Sequence, residues 1–434
     1  MIKESIYNYK INLSIKDECK SFIFNTRSRK LLDFTGQQLS NLSPTQEKIL
    51  RNNGFLVDDD IDESQLALYY RINKIYQNKL LSLTIIPTAD CNFKCVYCYQ
   101  TSKNAYINRE VVENIIKYIE KNVQYYSALS ITWFGGEPLL CKDEVLYIIK
   151  KAKNLCLKHN KPFVSYMTTN GYELDLNFFT KSLKNGLRYY QITIDGDSNI
   201  HNLQRPHILH SDSFERIIDN LSLISKNTDR LRFEIGIRIN VSKKSLATMP
   251  VFIEKLSKLF AADKRFVLIW QWVRDWGGDR IDKELTISNT VCKDLMKISM
   301  EKGMRCYEVL SCNSGTDICE AAYKYGYVIN YVGKVYKCAM KTFDNPEEDM
   351  NCIGELNNRG DIEIDERKEA KWLLPKIRNE CYACVFFPMC MGNACPFTSV
   401  YKNKQTCIVF KSLIPAQIES MYARQNFINL QEDF

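Results

Sequence analysis

Three cysteines, Cys91, Cys95 and Cys98, stand close together in the stretch CNFKCVYC. Thiolates are soft, strongly donating ligands suited to iron, sulfide or zinc, and this spacing lets one loop present all three to a common centre. Three thiols are one fewer than a closed four-ligand site requires, so the missing position is open to another group. A second set gathers late in the chain: Cys312, Cys319 and Cys338, then Cys381, Cys384, Cys390, Cys395 and Cys407. The remaining Cys19, Cys141, Cys156, Cys292, Cys306 and Cys352 are scattered, as expected of thiols that pack as small hydrophobes.

The composition suits metal better than disulfides. The chain has 434 residues, 17 of them cysteine, with 45% hydrophobic and 25% charged residues, which is enough to bury several cores. No apolar run reaches the length of a membrane span, and the first residues alternate too strongly with charge for a signal peptide. A cytoplasmic protein is therefore expected, in a reducing compartment where thiolate metal sites persist. The charge of +8 is spread along the chain, so it neither requires nucleic acid nor marks a membrane-binding arm.

An alternation of strands and helices must position these residues. LSLTIIPT (81–88) reads as a strand, followed by a helix with Val111, Ile115, Ile119 and Val123 on one face. LSITWFG, FVSYMTTNG, YYQITIDG, RFEIGIRINV and RFVLIWQWV read as five more strands. Helices are expected near 143–159, 174–184, 212–226 and 244–260. The fold class is α/β: six strands with right-handed helical crossovers give a partial (β/α)6 TIM-like barrel. Gln191, Thr193 and Asp195 share one strand face, and Glu234, Arg238 and Asn240 share another, so the barrel interior is polar on that side. Cys91 follows the first strand, GGEP (135–138) the second, TTNG (168–171) the third and DGD (195–197) the fourth, where such folds place their sites.

CNFKCVYC, WFGGEP, TTNG, and TIDG followed by His201 and Arg205 resemble the successive motifs of radical S-adenosylmethionine enzymes over roughly residues 81–275. The resemblance implies that Cys91, Cys95 and Cys98 hold three irons of a 4Fe-4S cluster, with S-adenosylmethionine chelating the fourth. One electron into its sulfonium then gives a 5'-deoxyadenosyl radical that abstracts hydrogen from an unactivated carbon. It further implies that Glu137 and the backbone of Gly135 and Gly136 receive the cofactor's ammonium group, and that Tyr97 lies along the adenine. Thr193, Asp195 and Arg205 are then candidates for its ribose and carboxylate, with Asn170 and Arg238 also facing the cofactor; His201 is expected to be a local hydrogen-bonding residue.

The late cysteines resemble the SPASM-type extension of enzymes that mature peptides. In that extension Cys312, Cys319, Cys338 and Cys395 would hold a nearer auxiliary 4Fe-4S cluster, and Cys381, Cys384, Cys390 and Cys407 a farther one, three clusters in all. The spacing from Cys390 to Cys395 departs from the usual pattern by one residue. Residues 1–80 read as a small winged-helix-like module of strands and short helices, with a Ser-Pro helix start and a stop at Gly54. VDDDIDES (57–64) reads as a solvated hinge after it. The expected organisation is thus 1–80 for precursor-leader recognition, 81–280 for the barrel, 281–310 as a helical bridge, 311–410 for the cysteine-rich iron–sulfur domain and 411–434 as a terminal helix and tail.

The expected activity is hydrogen abstraction from a ribosomally made precursor peptide, leading to a carbon–carbon or thioether cross-link, with electrons from a flavodoxin or ferredoxin. An anaerobic sulfatase-maturing enzyme is the sibling alternative. In that group an Asp usually follows the cysteine equivalent to Cys338, whereas Ala339 stands here. A non-enzymatic zinc protein that binds nucleic acid is the alternative of another class.

Overall fold

In a computed structural model the structure describes residues 1–35, 42–76, 79–273, 285–288, 291–307, 318–341, 343, 349–407 and 414–429. Cys312 lies outside them. The chain divides into two compact units, one of residues 79–307 and 325–370, the other of residues 1–78, 308–324 and 371–434.

The larger unit is built on an eleven-stranded sheet. Its centre is the expected six parallel strands, Leu80–Ile85, Ala128–Trp133, Phe163–Thr169, Leu187–Thr193, Glu234–Val241 and Phe266–Trp272, side by side in chain order. Helices Arg109–Asn122, Lys142–Lys158, Leu176–Lys184, Ser213–Asn227 and Met249–Phe260 fall close to the expected positions. The first shows why: Asn108 caps its N-terminus by accepting the Val111 N–H, an interaction of about 1 kcal/mol. Val111, Ile115 and Ile119 are buried on its inner face, each contributing roughly 1.5–3 kcal/mol of apolar burial. A short helix Ser198–Gln204, capped by Asp197, follows the DGD stretch and was not legible as a periodic pattern because it spans only two turns.

The sheet extends past the six strands on both sides. Arg305–Cys306 pairs in parallel with the sixth strand, and Gly326–Ile329 pairs in parallel with the first, bringing the antiparallel strands Lys334–Tyr336, Cys352–Leu356 and Ile362–Ile364 with it. The 281–310 stretch therefore contributes helix Val291–Glu301 and a strand of the same sheet. The sheet remains open, with the partial-barrel architecture inferred from six strands.

The second unit carries the strands Asn8–Ile15, Glu18–Asn25 and Lys30–Asp33 as an antiparallel meander. Ile428–Asn429 adds in parallel to Lys30–Asp33, so that edge is covered while Asn8–Ile15 stays at the other edge. Helix Pro44–Asn52 begins in a capping box between Ser43 and Gln46 and ends before Gly54, whose φ of +80° suits a residue without a side chain.

The acidic stretch 57–64 exposes Asp59, Asp60 and Asp62, as expected of a solvated segment, but is anchored at both ends. Leu56–Asp58 pairs with Ile2–Glu4, and Glu63 is buried, accepting bonds from the Ser5 hydroxyl (2.7 Å) and the Ile6 N–H (2.8 Å). The first residues share cores with the late cysteine run: Tyr7, Ala67 and Ile75 pack with Leu373, Phe387 and Met391, and Phe22, Phe24 and Leu31 with Phe386, Met389 and Ile418. Arg71, buried on helix Glu63–Tyr76, donates to the Met391 carbonyl at 3.1 Å and the Leu373 carbonyl at 3.3 Å. Among the described residues no helix is long and apolar enough to cross a membrane.

Candidate active site

The loop after the first strand is folded by its own polar residues before any thiol is considered. Thr88 accepts the Asp90 N–H at 2.9 Å, Asp90 accepts the Cys91 N–H at 2.9 Å, and Tyr106 donates its hydroxyl to Asp90 at 2.6 Å. Cys91 in turn accepts the Phe93 N–H on sulfur at 3.4 Å. GGEP closes over this loop, with the Gly136 N–H bonded to the Thr88 carbonyl and the Glu137 N–H to the Asp90 carbonyl. A Cβ at position 136 would stand 2.0 Å from the Asp90 carbonyl oxygen, so only glycine permits that approach.

The result is a cavity of about 190 Å³ lined by Cys91, Cys95 and Cys98 together with Tyr97, Gly135, Gly136, Glu137, Asn170, Thr193, Arg205 and Arg238. All but one of the residues expected to hold the cluster at the triplet or its cofactor therefore meet in one place. Asp195 is the exception: it is fully buried behind the wall, accepting the Tyr97 hydroxyl, the Asn240 N–H at 2.9 Å and the Asn240 side-chain amide at 3.2 Å. Its strand parity pointed inward correctly, but it lies past the last paired residue, where the chain turns into the Asp197-capped helix.

Glu137 spans two loops. Its carboxylate accepts the Leu139 N–H at 2.9 Å, the Thr169 hydroxyl at 2.6 Å and the Asn170 N–H at 2.7 Å, which leaves about one of its roughly four acceptor directions for a ligand. Burial raises its pKa, and those three donors hold it down. Asn170 also donates to Asn92 at 2.7 Å, binding the TTNG turn to the cysteine loop. His201 is buried and accepts the Asp195 N–H at 3.3 Å, a local bond of the kind expected.

Tyr97 is the hub on the opposite wall. Its hydroxyl donates to Asp195 and receives an Arg205 N–H at 2.8 Å and the Asn240 amide at 3.1 Å. Arg238 donates its Nε–H to Asn240 at 2.9 Å, and the Arg205 Nε–H is buried without a partner. The cavity thus has guanidinium donors to spare, which suits a ligand carboxylate. Burial pushes the Cys95 thiol up to about 11 and the Cys91 thiol higher still, so these thiols ionise readily only against a cationic centre such as iron. The donor set fits an iron–sulfur cluster with S-adenosylmethionine: three thiols, acceptors for an ammonium, guanidinium donors for a carboxylate and an aromatic ring. When bound, that pair supplies one-electron cleavage of the sulfonium.

Asn92, Thr169, Trp272 and Met340 also bear on the cavity or its loops and were not anticipated. Asn92 could have been suspected from its place inside the cysteine motif. Met340 depends on the strand pairing of Gly326–Ile329 with the first barrel strand, and no local pattern announces that. Close to it, Cys338 accepts the Met340 N–H on sulfur at 3.4 Å and is gripped by Asn351 through its own N–H and carbonyl.

In the other unit Cys381, Cys384, Cys390 and Cys407 line a small void of about 30 Å³ with Phe386, Phe387 and Gly392. Among the described residues no cysteine is in a disulfide, and no His, Cys, Asp and Glu side chains converge closely enough for a single metal ion.

Residues 85–240 match the Radical SAM superfamily. A cysteine-type anaerobic sulfatase-maturating enzyme of Clostridium perfringens is 25% identical over 342 residues, 72% of this chain and 88% of the relative. The structure of native anSMEcpe with bound AdoMet has a TM-score of 0.57 at 19% identity, covering 80% of this chain and 98% of that one. Streptococcus suis SuiB bound to S-adenosylmethionine has a TM-score of 0.53 at 14% identity, covering 85% of this chain and 82% of that one. Both structural likenesses speak to the fold. Motif, barrel and cavity agree with the superfamily match: the chain carries a radical S-adenosylmethionine enzyme domain over residues 85–240, followed by a cysteine-rich C-terminal stretch.

Proposed function

We propose that this enzyme matures a ribosomally made precursor peptide, abstracting hydrogen from one of its residues on the way to a carbon–carbon or thioether cross-link. The observation that carries the reading is that the carboxylate at the cavity is already engaged. Among the described residues lining the cavity, the only carboxylate is Glu137, already holding three hydrogen bonds, and Ala339 follows Cys338. Both activities begin with hydrogen-atom abstraction from carbon, which needs position; formylglycine and thioether formation must in addition take a proton from a heteroatom side chain, which a carbon–carbon cross-link does not. SuiB, whose fold this chain shares, has been captured with its precursor peptide SuiA.

In this reading Cys91, Cys95 and Cys98 ligate the radical-generating cluster, and Glu137, Arg205 and Arg238 face the cofactor's ammonium and carboxylate. Cys312, Cys319, Cys338 and Cys395 are assigned to the nearer auxiliary cluster, and Cys381, Cys384, Cys390 and Cys407 to the farther. A leader peptide adds as a strand to the exposed edge Asn8–Ile15. Hydrogen exchange over that strand should slow when the leader is added; unchanged exchange removes the leader assignment.

Anaerobic sulfatase maturation is the second reading, favoured by the 25% identity to the Clostridium perfringens enzyme. The two separate in one anaerobic assay with S-adenosylmethionine and reductant. A short peptide encoded beside the gene should lose two hydrogens by mass spectrometry, while a sulfatase peptide should gain no aldehyde reactive toward a hydrazide. Aldehyde formation on the sulfatase peptide alone would reverse the ranking.

A further inference from the structure

The fourth barrel strand, Leu187–Thr193, turns Gln191 and Thr193 onto the interior face, and both line the cavity. Thr193 lies beside Arg238 of the next strand, and one level deeper Gln191 lies between Thr168 and Gly236. Two residues of strand put that lower row about 6–7 Å further from the strand ends, after which the cysteine loop and GGEP follow. Gly236 offers no side chain, and Ile269 takes its space: a Cβ at position 236 would stand 2.5 Å from the Ile269 Cδ1. Gln191 therefore has no polar neighbour on that side.

Its half-buried amide differs from the other amides and the carboxylate of the cavity. Glu137 holds three hydrogen bonds, and Asn170 donates to Asn92 and accepts the Tyr172 N–H at 3.0 Å. Asn240 accepts from Arg238 and donates to Tyr97 and Asp195. Among the described residues the Gln191 side chain makes no hydrogen bond. Two N–H donors and an acceptor oxygen thus stand side by side, unspent, at the floor of the site. An anion would suit the donors and repel the oxygen, and a cation would do the reverse. An extended peptide residue meets both ends at once, because its own N–H and C=O point to the same side, as in a strand ladder. The ribose diol of S-adenosylmethionine is the other neutral group able to do so, and its candidate partner, Thr193, stands a level higher.

We infer that Gln191 grips one extended residue of the substrate by its backbone. Its NH2 group donates to that residue's carbonyl, its oxygen accepts that residue's N–H, and the α-carbon between the two is held beneath the cofactor. Gln191 reads main chain and not side chain, so it fixes the depth at which a peptide lies and with it the carbon that loses hydrogen. The inference rests on the reading of a peptide substrate and holds equally for a precursor and for a sulfatase peptide.

The test uses the full chain, reconstituted without air and given S-adenosylmethionine and dithionite. The probe is N-acetylglycine N-methylamide deuterated at the α-carbon, a single capped residue; its depsi analogue replaces the glycine N–H by an ester oxygen. Deuterium in 5'-deoxyadenosine is read by mass spectrometry. Each transfer breaks one C–D bond of the probe and makes one at the 5' carbon, and dithionite and a proton quench the probe radical left behind. Below saturation the amide should transfer about tenfold more deuterium than the depsi analogue. Gln191→Met, which keeps the chain length and removes both polar ends, should bring the amide down to the level of the analogue and leave the analogue unchanged. Affinity for S-adenosylmethionine in equilibrium dialysis should match that of the unaltered protein, which also shows that the variant is folded.

No transfer from either probe, equal transfer from both in the unaltered protein, or a tenfold difference that survives in Gln191→Met would each overturn the inference. A loss of S-adenosylmethionine affinity would give Gln191 to the ribose and overturn it as well. If the short peptide encoded beside the gene stays unmodified while amide transfer still depends on Gln191, the precursor reading falls and the backbone grip stands.

Discussion

The thiols of Cys91, Cys95 and Cys98 open onto a cavity of about 190 Å³ whose other walls carry a carboxylate, amides and two guanidiniums. Those of Cys381, Cys384, Cys390 and Cys407 enclose about 30 Å³ beside Phe386, Phe387 and Gly392. Burial raises the Cys95 thiol in the first place and the Cys390 thiol in the second alike to about 11. The contrast lies in the count and the company. Three thiols stand among polar groups in the first place, and four thiols stand beside two aromatic rings and Arg378, Gln405 and Thr406 in the second.

The largest effect that would break this contrast comes from removing the triplet. Replacing Cys91, Cys95 and Cys98 together by Ala should reduce 5'-deoxyadenosine to background, with iron analysis showing a loss of about four irons and no more. Persistent cleavage would mean that the open position lies elsewhere. Cys381→Ala with Cys384→Ala should also lose about four irons and lower the anaerobic melting temperature, because those thiols sit under cores shared by the first and last stretches of the chain. Its triplet cluster should still change its paramagnetic signal when S-adenosylmethionine is added.

A smaller effect should follow Tyr97→Phe. The ring remains, but Asp195, Arg205 and Asn240 each lose a partner, at a cost of about 1–2 kcal/mol, and affinity for S-adenosylmethionine measured by equilibrium dialysis should fall about tenfold. Unaltered affinity would reduce Tyr97 to its ring. The smallest effect concerns pH. Burial holds the His201 pKa well below its ordinary value, so below about pH 6.5 the unfolded chain binds a proton that the folded one refuses. Stability should therefore fall on acidification from that point, by up to about 1.4 kcal/mol per pH unit, and denaturant midpoints of a His201→Gln variant should show a shallower slope.

Much of the site was legible because its signals are local. The cysteine spacing, the paired glycines before Glu137 and the two-residue parity that turned Gln191, Thr193, Arg238 and Asn240 inward all survive into the cavity. Glu234 shares that parity but begins its strand, where it pairs with Arg305 at 3.3 Å instead. Asp195 is hidden for the corresponding reason at the far end of a strand. Periodicity specifies a direction; it does not specify how far along the strand the cavity extends.

What the sequence determined by itself is the chemistry on offer: the ligand atoms, the number available at each place, and the strands and helices that propose a barrel. The tertiary structure decided which polar groups are already engaged, as with Glu137, and which are left for a ligand, as with Arg205. It also decided that Tyr7 and Phe22 share cores with Phe387 and Phe386, more than 360 positions away in the chain. The physical reason is that side-chain identity and strand parity are properties of neighbouring residues, whereas hydrogen-bond satisfaction and core packing depend on partners that only long-range folding brings within reach.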